Sequence, residues 1–312
     1  MAERVFKGGI MKKRKITGEY KRNMMMGYSF ILPAVIFMLA LIGYPIIYNI
    51  IISFQDATAL TISQNSKAFA GLKNYRDIFG DPLFWTSFKN TFVYTGGCLV
   101  FQFVIGFALA LFFSKKFTFS RYTRGLIVIS WMLPVTVTAL TFKFMFAEGN
   151  GIINEILLSL HLIKEPIGWL IERKTAMLGV VIANSWVGIP FNMLLLSNGL
   201  GNISEDVYES AGMDGANKIQ RFFHITLPLL KPTILSVLIL GFVLTFKVFD
   251  LIYVMTSGGP VDATEVLSTY SYQLSFKNFN FGNGSAAANV LFLCLFIVGL
   301  VYLKFISDDE VM

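Results

Sequence analysis

The chain contains several separate apolar runs that are each long enough to cross a lipid bilayer. A run of about 18 or more apolar residues predicts a membrane-spanning helix, because the hydrocarbon core is about 30 Å thick. The composition agrees, since 55% of the 312 residues are hydrophobic and only 14% are charged, against about 25% charged in soluble domains. We therefore predict an all-α, polytopic membrane protein with six transmembrane helices.

The six predicted spans form one transmembrane domain between a basic tail, 1–26, and a short tail, 307–312. The spans cover residues 27–54, 91–113, 125–147, 175–198, 233–255 and 286–306. If the N-terminus is inside, cytoplasmic segments carry 16 of the 26 Lys and Arg residues and outer segments carry 8. Because positive residues are retained in the cytoplasm, both termini are predicted there. The net charge of +7 then belongs largely to a tail beside anionic lipid, and no nucleic-acid partner is expected.

The sequence has no residue pattern for catalysis or for a resident cofactor. His161 and His224 fall on opposite sides of the predicted membrane, so they cannot share a site. Cys98 and Cys294 lie inside apolar runs, where a thiol usually behaves as a small hydrophobe. No G-x4-G-K-[ST] phosphate loop is present. We predict a non-catalytic subunit without metal or cofactor, whose energy comes from a partner.

The loop between the fourth and fifth predicted spans, residues 199–232, is called the signature loop below. Ser204 is a good N-cap for a short helix, because its hydroxyl can accept from an unpaired amide of the first turn. A second short helix is predicted over 217–223, with Asp214 as its cap and Gly215 in the turn. Two amphipathic helices parallel to the membrane would form a projecting knob.

The signature loop contains the spacing E-x-A-x3-G-x9-I-x-L-P, formed by Glu209, Ala211, Gly215, Ile225, Leu227 and Pro228. With this spacing it resembles the loop of permease subunits in binding-protein-dependent ABC importers. Ser210 stands where that family usually has Ala. Other segments look like the maltose-type carbohydrate branch: Tyr44-Pro45, Ser53-Phe54, Gly71-Leu72-Lys73-Asn74-Tyr75, Asn90-Thr91 and Gly258-Gly259-Pro260. The resemblance thus covers nearly the whole chain.

The resemblance implies the fold of a type I (MetI-like) ABC importer permease and a set of partners. These are a second, non-identical permease, two cytoplasmic ATPase subunits that bind ATP and Mg, an extracytoplasmic solute-binding protein, and a carbohydrate substrate, which is expected to be an oligosaccharide. Transport would proceed by alternating access across the cytoplasmic membrane of a prokaryote. The coupling contact with the ATPase would comprise Glu209, Ser210, Ala211, Gly212, Met213, Asp214, Gly215 and Ala216. The alternative is that these are ordinary cap and turn residues.

Charged residues within the spans are candidates for the substrate pathway, because an isolated charge in the bilayer is costly. Lys247 and Asp250 lie three residues apart, a spacing at which helical side chains meet. They could form an internal ion pair, or face a central cavity and bind sugar hydroxyls. Lys143 lies near the outer end of its span, where its side chain could instead extend to the headgroups.

Polar and aromatic residues in the fourth and fifth spans are further candidates. Asn184, Trp186 and Asn192 flank a proline kink, and an indole face with amides suits a sugar. The alternative is that the asparagines hydrogen-bond neighbouring helices. Tyr253 and Thr256 lie near the outer end of the fifth span.

The sequence leaves two other functions open. A phosphorylated polyol such as glycerol phosphate would require a cluster of Lys or Arg in the cavity, and the spans offer only Lys143 and Lys247. A stand-alone secondary transporter would require inverted repeats or broken ion-binding helices, and would need no docking loop.

Overall fold

The computed structural model describes residues 18–61, 68–115 and 119–309. The predicted tails therefore fall largely outside the described residues, in their positions 1–17 and 310–312. Within the described ranges the chain is helical and forms no β-strand beyond two isolated bridges, as the apolar runs predict. The helices are α1 (Gly18–Met38), α2 (Tyr44–Ser53), α3 (Lys73–Gly80), α4 (Pro82–Ser114), α5 (Ser120–Met132), α6 (Val135–Met145), α7 (Ile152–Ser159), α8 (Ala176–Gly201), α9 (Glu205–Met213), α10 (Lys218–Arg221), α11 (Leu227–Phe246), α12 (Asp250–Met255), α13 (Leu267–Tyr272) and α14 (Phe281–Asp309).

The chain divides into two compact units, residues 1–51 and 52–312. In the first unit a π-helical turn, Leu39–Gly43, joins α1 to α2. The helix from Met24 to Ser53 is 30 residues long and strongly apolar, and its large apolar side chains are exposed, as in Phe30. Such a helix is suited to a lipid environment.

Five helices of the described residues are long and apolar enough to cross a membrane, judged by length and composition. A sixth span is obtained if α5 and α6 are counted together, although they meet at 97°. The predicted span 125–147 is therefore not one straight helix. Pro134 stands at the break, where it lacks an amide hydrogen, and Leu133 is extended with φ −69° and ψ 139°.

The second span begins nine residues earlier than predicted, at Pro82 instead of residue 91. The Asp81 carboxylate accepts the amide of Leu83 at 2.9 Å, and proline is favoured in the first turn of a helix. Sequence hydropathy misses this start because the first turns of α4 are only partly apolar.

The fifth span also differs from the prediction of 233–255. A continuous helix of 29 residues, Lys218–Phe246, joins the signature loop to the span through a π-helical turn, Phe222–Thr226. It ends at Phe246, and α12 begins only at Asp250. The side chain of Ser268 donates to the Val248 carbonyl at 2.7 Å, so a tertiary hydrogen bond satisfies a group that the break frees.

The core of the second unit is built on α4 and α8, which pack closely along their length. Glycines allow this approach, since a β-carbon at Gly97 would lie 3.3 Å from the Val181 side chain. Buried apolar side chains from α4, α6, α8 and α12 surround the first turns of α8, among them Tyr94, Ala139, Val180 and Leu251. A second cluster, including Ala110, Met193 and Val237, lies toward the signature loop.

Candidate functional site

The signature loop folds as two short helices joined by a tight turn. The Ser204 hydroxyl accepts the Asp206 amide at 3.3 Å and caps α9, as predicted. Gly215 has φ +80°, a left-handed conformation that favours glycine. Asn217 caps α10, not Asp214 as predicted: its side chain accepts the Gln220 amide at 2.9 Å, and the Gln220 side chain accepts the Asn217 amide at 2.8 Å.

Side chains that face inward hold α9 against the helix that follows. The Tyr208 and Thr226 hydroxyls are hydrogen-bonded at 3.0 Å. The Arg221 guanidinium donates to the Tyr208 carbonyl at 3.4 Å, and the Ala216 amide donates to the Ala211 carbonyl at 2.9 Å. The knob is thus fixed to the base of the long helix that leads into the fifth span.

The outward face of the knob contains most of the residues predicted for coupling. Glu209, Ser210, Gly212, Met213, Asp214 and Gly215 are exposed, whereas Ala211 and Ala216 are partly buried. The Met213 side chain is 89% exposed, although it is large and apolar. Beside it lies a cavity of about 340 Å³ lined in part by Gly215, Gln220 and His224. Small residues, two acids and an exposed methionine form a surface on which a partner could dock.

Lys247 and Asp250 lie at the break between α11 and α12, and both side chains are exposed. No ion pair joins them within the described part of the chain, so the helical pairing considered from their spacing is absent. Asp250 instead occupies the first turn of α12, where a negative charge is favourable. Both groups are available to a ligand or to a partner.

An aromatic cluster continues from this break. Tyr253 stacks on Phe249 at 5.0 Å and meets Tyr272 edge-on at 5.0 Å, and Tyr272 contacts Phe276 at 5.1 Å. The Lys277 ammonium lies 5.6 Å from the centre of the Tyr253 ring. Of these residues only Tyr253 was predicted from the sequence to lie on the substrate pathway. The i, i+4 spacing of Phe249 with Tyr253, and of Tyr272 with Phe276, is the signal that could have found the others.

A cavity of about 440 Å³, called the Trp169 cavity, lies at the end of the bundle opposite the signature loop. The Trp169 ring packs on Phe146 at 5.1 Å, and both residues line the cavity. The Lys143 ammonium also lines it and donates to the Val254 carbonyl at 3.1 Å. Thr256 is a further lining residue. This volume and mixed lining are typical of a small-molecule site.

The three candidates on α8 do not share one environment. Asn184 is buried, and its carbonyl accepts the Gln102 side chain at 3.2 Å. Asn192 is also buried, and its side chain donates to the Gly188 carbonyl at 2.9 Å. The Asn192 β-carbon also faces Gly106 of α4, so both asparagines lie in the contact between α4 and α8. Trp186 is 52% exposed and meets Phe142 edge-on at 6.2 Å, so it alone presents a free face.

Residues 257–265, called the 257–265 turn, border the Trp169 cavity through Gly259 and Pro260. The Asn90 side chain donates to three of its carbonyls, those of Asp262, Ala263 and Glu265, at 3.0 to 3.3 Å. The Thr256 and Thr264 hydroxyls are hydrogen-bonded at 2.7 Å. Sequence analysis gave Asn90 no structural role, because its partners lie more than 170 residues away.

Comparison with known proteins identifies one family over most of this architecture. Residues 102–309 match the family described as binding-protein-dependent transport system inner membrane component. The trehalose/maltose transport system permease protein MalF of Thermococcus litoralis is 34% identical over 287 residues, which are 91% of this chain and 94% of that protein.

Two further comparisons agree in sequence and in fold. The sulfoquinovosyl glycerol transport system permease protein SmoG of Agrobacterium fabrum is 34% identical, over 89% of both chains. A chain in the crystal structure of a bacterial alginate ABC transporter in complex with its alginate pentasaccharide-bound periplasmic protein superposes with a TM-score of 0.76. That match has 21% identity and covers 91% of this chain and 94% of the other. At this identity the likeness concerns the fold.

Proposed function

We propose a function from one premise: the chain belongs to the family of binding-protein-dependent transport system inner membrane components. Members of this family are multi-pass membrane subunits of ABC importers, and the chain is such a permease subunit. Our proposal is that it carries a carbohydrate, specifically an oligosaccharide, inward across the cytoplasmic membrane of a prokaryote, with both termini in the cytoplasm. It would work by alternating access, driven by ATP hydrolysis in separate subunits.

One observation carries the proposal, namely the outward face of the signature loop. Met213 and Glu209 are exposed there, on a knob that the Tyr208–Thr226 hydrogen bond fixes to the long helix. A fixed knob with exposed apolar and charged groups can transmit the movement of a partner, whereas a loose surface loop cannot. We infer that this partner is an ATPase subunit, and that residues 209–216 are the coupling contact.

The proposed assembly contains a second, non-identical permease, two ATPase subunits with their ATP and Mg, and a solute-binding protein outside. This chain would bind no cofactor and catalyse no reaction. In the proposed cycle the ATPase dimer closes, the signature loops of the two permeases approach, and the cavity between them opens outward.

Support for a carbohydrate comes from relatives and from side chains. Relatives at 34% identity are named for trehalose/maltose and for sulfoquinovosyl glycerol. Exposed Lys247 and Asp250 adjoin the stacked rings of Phe249 and Tyr253. Aromatic faces pack on the CH surface of sugars, and charged groups bind their hydroxyls.

We propose Lys247, Asp250, Tyr253, Trp186 and Lys143 as the contacts. Asn184 and Asn192, both buried, would support the α4–α8 contact.

A phosphorylated polyol is the competing substrate, because Lys277 adds a third cation near the pathway, beside Tyr253. The exposed carboxylate of Asp250 at the same break opposes an anionic ligand. A direct comparison of neutral oligosaccharides with glycerol phosphate distinguishes the two.

The experiment begins with a pull-down of this subunit in mild detergent and identification of the copurifying chains. ATPase activity of the complex is then measured with binding protein and a panel of oligosaccharides and glycerol phosphate. We expect a second permease and an ATPase, and stimulation by one oligosaccharide. Isolation of the chain alone would overturn the proposed assembly, and stimulation by glycerol phosphate alone would overturn the substrate.

A pair of charge-matched variants tests the coupling contact. Glu209→Ala should abolish stimulated ATPase activity while the subunit still inserts in the membrane. Glu155→Ala removes an exposed acid from α7, at the opposite end of the bundle, and should leave activity unchanged. Equal activities of the two variants would contradict a role for Glu209.

A further inference from the structure

The 257–265 turn contains a buried acid, Glu265, that has no assigned role in transport. Glu265 is 3% exposed, and its Oε1 atom is buried without a hydrogen-bond partner among the residues that the structure describes. Its Oε2 atom lies against Gly258, so closely that a β-carbon on residue 258 would overlap it. Gly258 has φ +89°, which favours glycine for a second reason. The turn is therefore shaped around this carboxyl group.

A buried carboxyl group with an unpaired oxygen is far less costly when it is neutral than when it is ionised. The turn that encloses Glu265 also forms one wall of the Trp169 cavity, through Gly259 and Pro260. We propose that Glu265 is a positioning residue for the Trp169 cavity, because it permits the 257–265 turn to close against α4 while its carboxyl group is neutral. Ionisation of Glu265 then releases the turn and reshapes the cavity wall.

The surroundings of Glu265 identify it as the group that responds to pH. Burial raises the pKa of Glu265 to about 7, the Thr269 hydroxyl and Lys277 oppose this rise, and Asp262 on the same turn adds to it. From helix α4, the Asn90 side-chain amide donates to the Glu265 carbonyl of the turn. The Thr91 hydroxyl accepts the amide of Leu267, just after the turn. Neither of these side chains titrates, and Thr256 on the α12 side is also neutral.

The sign of the effect follows from this raised pKa. The closed turn is fully stable below the ordinary pKa of a glutamate, 4.5, and it loses stability as pH rises toward about 7. Within that interval each pH unit should shift the equilibrium between closed and open turn by about tenfold. Above about pH 7.5 the effect should level off.

Hydrogen exchange on the full chain in lipid nanodiscs tests the proposal between pH 5.5 and 8.5. The amides of residues 257–265 are compared between wild type and Glu265→Gln at each pH, which cancels the chemical pH dependence of exchange. We expect the exchange ratio of wild type to variant to rise at least about tenfold between pH 5.5 and 7.5 and then to level off. A constant ratio would overturn the proposal.

A control and an internal reference keep the result unambiguous. Glu148→Gln removes an exposed acid that lines the same cavity, and it should behave as wild type. The amides of α12 should show no such rise, and a parallel rise there would mean general loosening and would overturn the proposal. If Glu265→Gln fails to insert, the wild-type chain alone still tests the proposal. The ratio of the exchange rate in the turn to the exchange rate in α12 must then rise through pH 7. No partner or transport is needed, so the result is independent of the proposed function.

Discussion

Gly106 of α4 lies so close to Asn192 of α8 that a β-carbon at position 106 would stand 2.7 Å from the β-carbon of Asn192. The same atom would lie 3.2 Å from the Ile189 carbonyl, so it would meet backbone as well as side chain. Two membrane helices that approach this closely gain packing and polar contacts along their length. We take this contact as a point at which the α4–α8 core is sensitive to added volume.

Gly106→Ala should destabilise the chain by about 1 to 3 kcal/mol, because overpacking forces the two backbones apart. Gly96→Ala on the same helix is the matched control. A β-carbon at Gly96 meets nothing within 4 Å, and alanine favours a helix by up to about 1 kcal/mol over glycine. Thermal unfolding, followed by reaction of a thiol probe with the buried Cys98, should occur at lower temperature for the first variant only. Equal shifts would contradict the close packing.

Gly215→Val should abolish transport while leaving insertion of the chain intact. A β-branched residue at φ +80° is strained by at least about 1 kcal/mol, and the turn between α9 and α10 would change shape. Gly201→Ala, at the end of α8, has no such φ and open space around it, and it should transport normally. The measurement is substrate uptake into cells with membrane levels of the subunit determined in parallel. Normal uptake by Gly215→Val would show that the turn shape is not needed for coupling.

Asn90→Ala should loosen the 257–265 turn, because the Asn90 side chain donates three hydrogen bonds to carbonyls of the turn. Loss of this shared donor removes the three hydrogen bonds between α4 and the turn and should lower the stability of the turn by about 1 to 3 kcal/mol. Limited proteolysis of the chain in nanodiscs should cut the turn faster than in wild type. Asn278→Ala, at an exposed position, serves as the control. Cleavage at the same rate in both variants would refute the role of Asn90 in holding the turn.

Lys247→Ala and Asp250→Asn should each reduce uptake at least about tenfold without loss of the ATPase subunit from the complex, if one charge-assisted contact to substrate is removed. Because the two side chains form no ion pair, the exchange of their charges in Lys247→Asp with Asp250→Lys should not restore uptake. Lys164→Ala, an exposed lysine outside the spans, should have no effect. Recovery of uptake in the exchanged variant would instead indicate a pair that functions without substrate.

The family and the helical architecture could be predicted because their signals are local. Length and hydropathy of each run indicate a span, and the six fixed positions of the signature loop have a set spacing. The resemblance drawn from them is confirmed. The coupling and substrate roles of individual residues stay predictions.

The breaks in the helices could not be predicted from the same signals. Pro134 is visible in the sequence, but proline also occurs within unbroken membrane helices, and the 97° angle depends on packing. Residues 247–249 contain neither glycine nor proline. At this break the Ser268 side chain, 20 residues further along the chain, donates to the Val248 carbonyl, and this contact is not visible in the sequence.

The hydrogen bonds of Asn90 and the burial of Glu265 could not be predicted for a related reason: both depend on the tertiary fold. In sequence, each is an ordinary polar residue near a loop. Only the fold brings the amide to its carbonyls and encloses the carboxyl group against Gly258.

The unbroken run from Lys218 to Phe246 makes the signature loop one end of a lever. Its 29 residues span about 43 Å at the rise of an α-helix, so a tilt of about 10° at one end would swing the other by roughly 7 Å. The far end is the break at residues 247–249, which places Lys247 beside the aromatic cluster. A small tilt of the helix at the knob would therefore displace its other end, with Lys247, by about the length of one sugar ring, without bending of the helix itself.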